Sequence, residues 1–333
     1  MLVKRNLLAA GLFLALGLCV WQSDAVRNSV LSAGERCLTV LIPSLYAFSF
    51  LAGLCVSAGA LETVAKPLGK YGDILAILLF SQIGGYPVGA QLLHERRLRG
   101  ELIAEDERRL LCVCIGCGPG FLLGTVCAGF PPKLTLWLML SVSLPNFAFA
   151  PFLVETVESS PKRQSLEPFA VQFTRAAEGA ANAMLKVTAM VLIFAAGMGI
   201  LDGVGLFALL PGSLGNLLRG VLEVSCVTGY LQSGGSLPVA AALLSFGGVC
   251  VHMQLCAICE GNVAMGRLFL TRLATAAMSW GICALGLHFW FRDALETALL
   301  ATRTALTTGS PLPGLCLLLM AVLLLRKREN PSG

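Results

Sequence analysis

The sequence predicts an all-α polytopic membrane protein, and three observations carry that prediction. Of its 333 residues, 56% are hydrophobic and only 13% are charged, where soluble domains carry about a quarter charged residues. Asp, Glu, Lys and Arg are missing from 6–23, 37–61, 74–94, 110–132, 134–154, 187–201, 203–218, 224–259, 273–291 and 304–325. Because roughly 20 apolar residues cross a bilayer as a helix, these stretches supply about 8–10 membrane segments. Two of the stretches are also interrupted at corresponding places, by Ser81-Gln82-Ile83-Gly84-Gly85-Tyr86-Pro87-Val88-Gly89-Ala90-Gln91 and by Ser245-Phe246-Gly247-Gly248-Val249-Cys250-Val251-His252-Met253-Gln254.

The interruptions share one offset: Gly84-Gly85 falls on Gly247-Gly248, Val88 on Val251 and Gln91 on Gln254. Non-helical backbone at membrane depth is tolerated only where protein buries it or water wets it. Paired interruptions in two halves of a chain point to a transporter-like binding site. The expected architecture is therefore two inverted-type repeats with broken or re-entrant helices.

The elements follow in order. Lys4-Arg5 ahead of Leu7–Val20 has the outline of a signal peptide, but Trp21-Gln22-Ser23-Asp24-Ala25 is a poor small-x-small cleavage site, so a retained first helix is expected. A crossing over Cys37–Leu61 has Pro43 near its start. In segment 74–94 the Gly-Gly-Tyr-Pro run ends one half-helix and the proline can open the next. Each half reaches only mid-bilayer at about 1.5 Å per residue.

The connector after it carries Arg96, Arg97, Arg99, Arg108 and Arg109, which favours the cytoplasm. Two earlier crossings from a cytoplasmic N-terminus already return the chain there. A re-entrant hairpin over 74–94 is thus expected ahead of a kinked crossing.

Segment 110–132 holds a third break, Gly116-Cys117-Gly118-Pro119-Gly120, and 134–154 carries Pro145-Asn146 near its middle. A polar linker, 155–178, divides the halves. Beyond it, an amphipathic stretch around Glu178, Asn182 and Lys186 leads into a crossing at 187–201, and a weaker stretch runs to Leu218. The run 224–259 is too long for one helix and is split by Thr228–Gly235; 273–291 and 304–325 complete the bundle. Lys4-Arg5 and Arg326-Lys327-Arg328 place both termini on the cytoplasmic side of a cell membrane. The division is a helix and connector at 1–34, a first repeat at 35–154, the linker, a second repeat at 179–291, and a C-terminal helix with a basic tail at 292–333.

Candidate ligand-binding or gate residues cluster at the breaks. Gly84, Gly85, Gly247 and Gly248 would expose backbone carbonyls and half-helix ends, whose partial charges favour anions at N-termini and cations at C-termini. Ser81, Gln82, Tyr86, Gln91, Ser245, His252 and Gln254 add neutral hydrogen-bonding groups beside Pro87, and Gly118 with Pro119 marks the third break. Such groups suit a polar uncharged or zwitterionic solute. The competing reading is that the glycines only let helices pack closely.

His252 is an intramembrane ionisable group, to be read either as a ligand or proton handler or as a neutral imidazole bonded within the bundle. Glu223, bracketed by apolar residues, is a buried partner for a cation or proton, or an interfacial anchor beside Arg219. Thirteen cysteines lie mostly in apolar windows, where cysteine packs as a small hydrophobe. Cys112, Cys114, Cys117, Cys256 and Cys259 lack the polar knuckles and matching histidines of a zinc site, so no metal ligands are assigned. No nucleophile–base order, phosphate loop or carboxylate pair appears, and the basic residues flank membrane segments without forming a patch. Neither an enzyme, a cofactor nor a nucleic-acid partner is expected; the lipid bilayer is the expected surroundings.

Several motifs carry a resemblance: Arg36 with Leu38–Phe48, Gly85-Tyr86-Pro87-Val88-Gly89-Ala90, Gly118-Pro119-Gly120 through Val126, Gly220-Val221-Leu222-Glu223-Val224, and Ser245–Gly248 with Val251, His252 and Gln254. Spread over 35–291, they resemble the Gate-domain, or nucleoside-recognition, superfamily of bacterial membrane proteins. Its members include parts of concentrative nucleoside transporters, the membrane domain of ferrous-iron transporters, and sporulation membrane proteins. The YlbJ-type sporulation integral membrane protein family is the nearest in pattern. The sequence departs from that pattern before Gly118-Pro119, where Cys114 to Cys117 stands in place of asparagine or serine.

The resemblance implies a membrane component linked to endospore formation, with other copies of the chain or sporulation membrane proteins as partners. The expected function is a transporter or gated channel for a small solute. A non-transporting membrane scaffold is the alternative, and a metal-ion permease the second.

Overall fold

The computed structural model describes residues 2–67, 72–128, 130–153 and 168–291. Segment 304–325, the basic tail and residues 155–167 of the linker lie outside the described residues.

Every regular element among the described residues is helical. The first helix, α1 (Leu2–Trp21), is followed by α2 (Ser23–Arg36), which continues through a π-helical turn at Cys37–Leu41 into α3 (Ile42–Ser57). Pro43 sits in the first turn of α3, where its missing N–H costs least; the wider turn before it takes up the change of register. The helix expected over Cys37–Leu61 instead begins at Ser23 and ends at Ser57, keeping Asp24, Arg27, Glu35 and Arg36 in one helical rod. A charged first half could not be seen as helix from an absence of charge.

Next come α4 (Ala60–Ala65), α5 (Gly72–Gly84), α6 (Val88–Leu98), α7 (Ala104–Leu110) and the short α8 (Pro119–Phe121), which runs into a π turn at Leu122–Val126. The helix α9 (Pro132–Leu153) passes through both Pro145 and Pro151. The 35-residue α10 (Phe169–Gly203) follows. Residues 169–178, expected as linker, are its first turns, and at 1.5 Å per residue the helix is about 50 Å long. The second half continues with α11 (Gly212–Leu222), a 3-10 turn at Val224–Cys226, α12 (Val227–Gln232), α13 (Leu237–Phe246), α14 (Gly248–Ile258) and α15 (Met265–Phe289). Of Thr228–Gly235, expected to split 224–259, Thr228–Gln232 is helical in α12, and the break is the short turn from Ser233 to Ser236 before α13.

Five helical rods among the described residues are long and apolar enough to cross a membrane: Ser23–Ser57, Pro132–Phe152, Phe169–Gly203, Leu237–Ile258 and Met265–Phe289. Outside charged ends such as Asp24, Arg27 and Arg175, their outer faces are largely apolar, with Phe152 81% and Leu270 68% exposed, while Gln82, Asn146, Glu223 and Arg272 are buried. Apolar side chains outside and polar ones inside suit lipid surroundings, not water.

Small residues set the central packing. The α2–α3 rod runs antiparallel to α10: a Cβ at Gly199 would come within 2.7 Å of Val26 Cα, and one at Gly53 within 3.7 Å of Ala176 Cβ. Phe50 and Phe173 stack edge-on near the far end, their centroids 4.9 Å apart. Ala176, Ala177, Ala180, Ala181 and Ala183 keep this face of α10 narrow and buried, as close helix approach in membranes requires. On the other side, α13 and α9 both pack on α15.

Candidate functional site at the helix breaks

Three breaks meet at one place. At the first, Gly85 takes φ +73°, which glycine adopts without the Cβ penalty, and the Tyr86–Pro87 bond is cis. A Cβ on Gly85 would stand 2.6 Å from both Cα and N of Gly118. The first and third breaks thus touch backbone to backbone. Pro119 opens α8 at its first turn, with Gly118 as the extended residue before it.

The second break comes in from the other half. The Tyr86 hydroxyl donates to the Leu244 carbonyl, and a Cβ on Gly247 would lie 3.3 Å from the Tyr86 ring. Gly247 and Gly248 both have positive φ, +87° and +74°. The two glycine pairs are therefore unequal. In the first, Gly84 still belongs to α5 and three residues separate the half-helices; in the second, Gly247 alone separates them. A shared sequence offset did not require a shared backbone path.

A buried cation joins the breaks. Arg272, two turns into α15, is 1% exposed. It donates to the Ile115 carbonyl at 3.0 Å and the Ser245 carbonyl at 3.3 Å, and to Asn146 Oδ1. Asn146, fully buried on α9, donates in turn to Gln82 Oε1 at 3.1 Å. Leu244 and Ser245 are among the last residues of α13, whose carbonyls have no partner within the helix; the C-terminal end of a helix also favours a cation. Among the described residues no carboxylate forms an ion pair with Arg272. Four polar groups around this junction, Arg272 Nε, Gln82 Nε2, Ser245 Oγ and His252 Nε2, are buried without a hydrogen-bond partner.

The structure does not bring all the predicted residues together. Ser81 Oγ bonds its own helix at the Ile77 carbonyl, 2.7 Å away. Gln91 donates to the Gly179 carbonyl on α10 at 2.9 Å, and Gln254 to Cys250 Sγ at 3.4 Å, so the two aligned glutamines face different neighbours. His252 Nδ1 lies 2.7 Å from the Gly248 carbonyl. A carbonyl can only accept, so Nδ1 carries the proton and Nε2 presents its lone pair. The imidazole is held against Phe246 with centroids 5.0 Å apart.

Glu223 is 2% exposed and accepts from Ser225 N at 2.9 Å, from Ser225 Oγ, and from Cys226 Sγ. It caps the 3-10 turn. Its expected neighbour Arg219 pairs instead with Asp202, at 2.8 Å for one of two contacts, beneath a cation–π contact with Phe207. Ser225 and Cys226 line the floor of an open cavity of about 600 Å3, walled by Asn28, Ser32, Arg36, Asn216 and Thr228. Polar space therefore reaches the Glu223 turn, while Gly84–Ala90 and Leu243–Gly248 are packed shut.

Arg272 and Asn146 were not singled out by the sequence. Arg272 stands one residue before the charge-free window 273–291 and reads there as a helix end; Asn146 reads as part of a proline kink. An arginine at a window edge, facing an asparagine inside a neighbouring apolar window, is the signal that could have found them. Comparison with known protein families, with curated proteins and with solved structures finds no match to this chain.

Proposed function

We propose that this chain is a multi-pass membrane transporter or gated channel for a small polar solute, with the three breaks as its gate. The observation that carries the reading is Arg272. Burying an arginine without a carboxylate costs several kcal/mol that a leucine would not, and sequences keep such groups in membranes at ion and substrate pathways. The unpartnered groups around it are mostly donors, which suits a solute with an anionic or carbonyl oxygen better than the neutral set read from sequence alone.

The re-entrant reading of segment 74–94 is part of this proposal. It is supported by α5 and α6 packing on each other, by Gly72 lying against Ala65 at the end of α4, and by Glu95 sharing a cleft with Arg175 in the first turns of α10. The α13–α14 break is proposed as a kinked crossing. With the breaks packed shut, the conformation is a closed one. The resemblance to sporulation membrane proteins extends the proposal to endospore formation.

Tight packing at the breaks is the observation that favours a second reading, a non-transporting membrane scaffold. Cys117, buried at the third break, separates the two. With the other cysteines replaced, a membrane-impermeant maleimide is expected to label Cys117 slowly in membranes, as gate opening wets the break. Complete protection over hours in native membranes, with labelling only after denaturation, would leave the scaffold.

A further inference from the structure

We infer that His94, Glu107 and Cys259 form a binding site for one divalent ion of the zinc type, at the charged end of the bundle away from the breaks. The inference stands independently of the transport reading. The three side chains are buried, and one ligand atom from each, imidazole nitrogen, carboxylate oxygen and thiol sulfur, lies within 4.8 Å of the others. They come from three separate places: the last turns of α6, the middle of α7, and the turn after α14.

The spacing is close to that of coordination, the ligand atoms standing up to 4.8 Å apart before an ion draws them together. Zinc sits about 2.0–2.2 Å from nitrogen and oxygen and about 2.3 Å from sulfur, so tetrahedral neighbours stand roughly 3.3–3.6 Å apart. His94 Nδ1 is 3.1 Å from Glu107 Oε1, and Arg97 Nη2 stands 3.4 Å from the same nitrogen, so this arm of the guanidinium must swing aside onto Glu260, 4.0 Å away, for an ion to bind. The other oxygen, Oε2, is occupied: Arg97 Nε pairs with it at 2.7 Å, and Asn262 Nδ2 donates to it. Asn262 is itself fixed by a bond to the Ala104 carbonyl at 3.1 Å. The carboxylate is thus oriented from outside, with Oε1 turned toward His94, which is how second-layer partners prepare a metal ligand.

The donor set selects the ion. Imidazole, carboxylate and thiolate together suit a borderline ion such as Zn2+; Mg2+ and Ca2+ prefer all-oxygen sites, and Cu+ prefers soft sulfur. Arg97 already balances Glu107. Binding Zn2+ then forms a Zn–S bond with release of the Cys259 thiol proton to solvent; the proton that His94 Nδ1 donates to Glu107 leaves that nitrogen, Nε2 takes one up, and Nδ1 binds the ion. The ion would tie the connector of the first half to the end of α14 in the second.

The test uses the full-length chain in detergent micelles, without a polyhistidine tag, titrated with Co2+ as a spectroscopic probe. One equivalent is expected to give a near-ultraviolet thiolate-to-cobalt band with tetrahedral visible bands, all displaced by Zn2+. Cys259→Ser should abolish the thiolate band, and His94→Ala should weaken binding at least tenfold. Cys112→Ser should leave it intact. Asn262→Ala removes no ligand and is expected to weaken binding about 10–100-fold, which keeps the test open if a ligand variant misfolds. Absence of the thiolate band in the unmodified chain overturns the inference, as does a band that survives Cys259→Ser.

Discussion

Gly85 shows how much a single missing side chain can decide. Its φ of +73° and its 2.6 Å separation from Gly118 mean that alanine there costs about 1–2 kcal/mol for the left-handed backbone alone, before the two breaks are pushed apart. Gly85→Ala is expected to lower Tm in detergent by several degrees. Gly197→Ala, on an exposed and open face of α10, should leave Tm unchanged or slightly raised. Equal melting of both variants would mean that the breaks do not touch.

The side chains from Gln82 through Asn146 to Arg272 form one buried polar chain. Asn146→Leu leaves one acceptor and one donor buried without partners, at about 1–3 kcal/mol each. Combined with Arg272→Gln, the loss should be smaller than the sum of the single losses, with a coupling of about 0.5–3 kcal/mol. Simple additivity in denaturation would separate the two residues.

The helix α7 is tied to α15 by charge. Glu105 bonds Arg267 of α15 at 3.1 Å and Arg108 at 2.8 Å. These bonds, Arg267 first, hold its carboxyl below the ordinary value. A lowered carboxyl contributes stability above its ordinary value and loses it as pH falls through the lowered one. The tie from α7 to α15 should therefore hold at neutral pH and loosen only in acid. Glu105→Gln removes it at every pH, so hydrogen exchange in α7 at pH 7 is expected to quicken in that variant. Unchanged exchange would show that the apolar contacts of Leu110, fully buried, suffice to hold α7.

For the whole molecule, the charged connectors collect at one end. The α6–α7 connector meets the α14–α15 turn through Asn262 and Ala104, and Arg175 at the start of α10 shares a cleft with Glu95. Under the positive-inside bias, Arg96, Arg97, Arg99, Arg108, Arg109 and Arg267 predict that this end faces the cytoplasm. Single cysteines at Arg99 and Glu260, in a background without other cysteines, are expected to resist impermeant reagents in intact cells and to react in inverted vesicles. Labelling of Arg99→Cys from outside would reverse the topology and remove the re-entrant hairpin with it.

The sequence by itself determined that the chain is helical and apolar enough for a membrane, because charge-free length is a local property and a bilayer demands little more. It also located the breaks: three glycines and a proline in five residues, or two adjacent glycines, interrupt a helix wherever they occur. Local pattern failed where helices carry charge. Residues 24–34 and 169–178 read as connector and linker, yet both are helix, because the neighbouring α10 and α3 cover their small, apolar faces.

Only the tertiary structure decided what the breaks do to one another. That Gly85 lies on Gly118, that Tyr86 reaches Leu244, and that Arg272 is buried among carbonyls of two halves are contacts across about 30–160 residues of chain. No spacing rule encodes them. An arginine at the edge of an apolar window is compatible with either a wet helix end or a buried one, and the choice lies in whether other helices offer it acceptors.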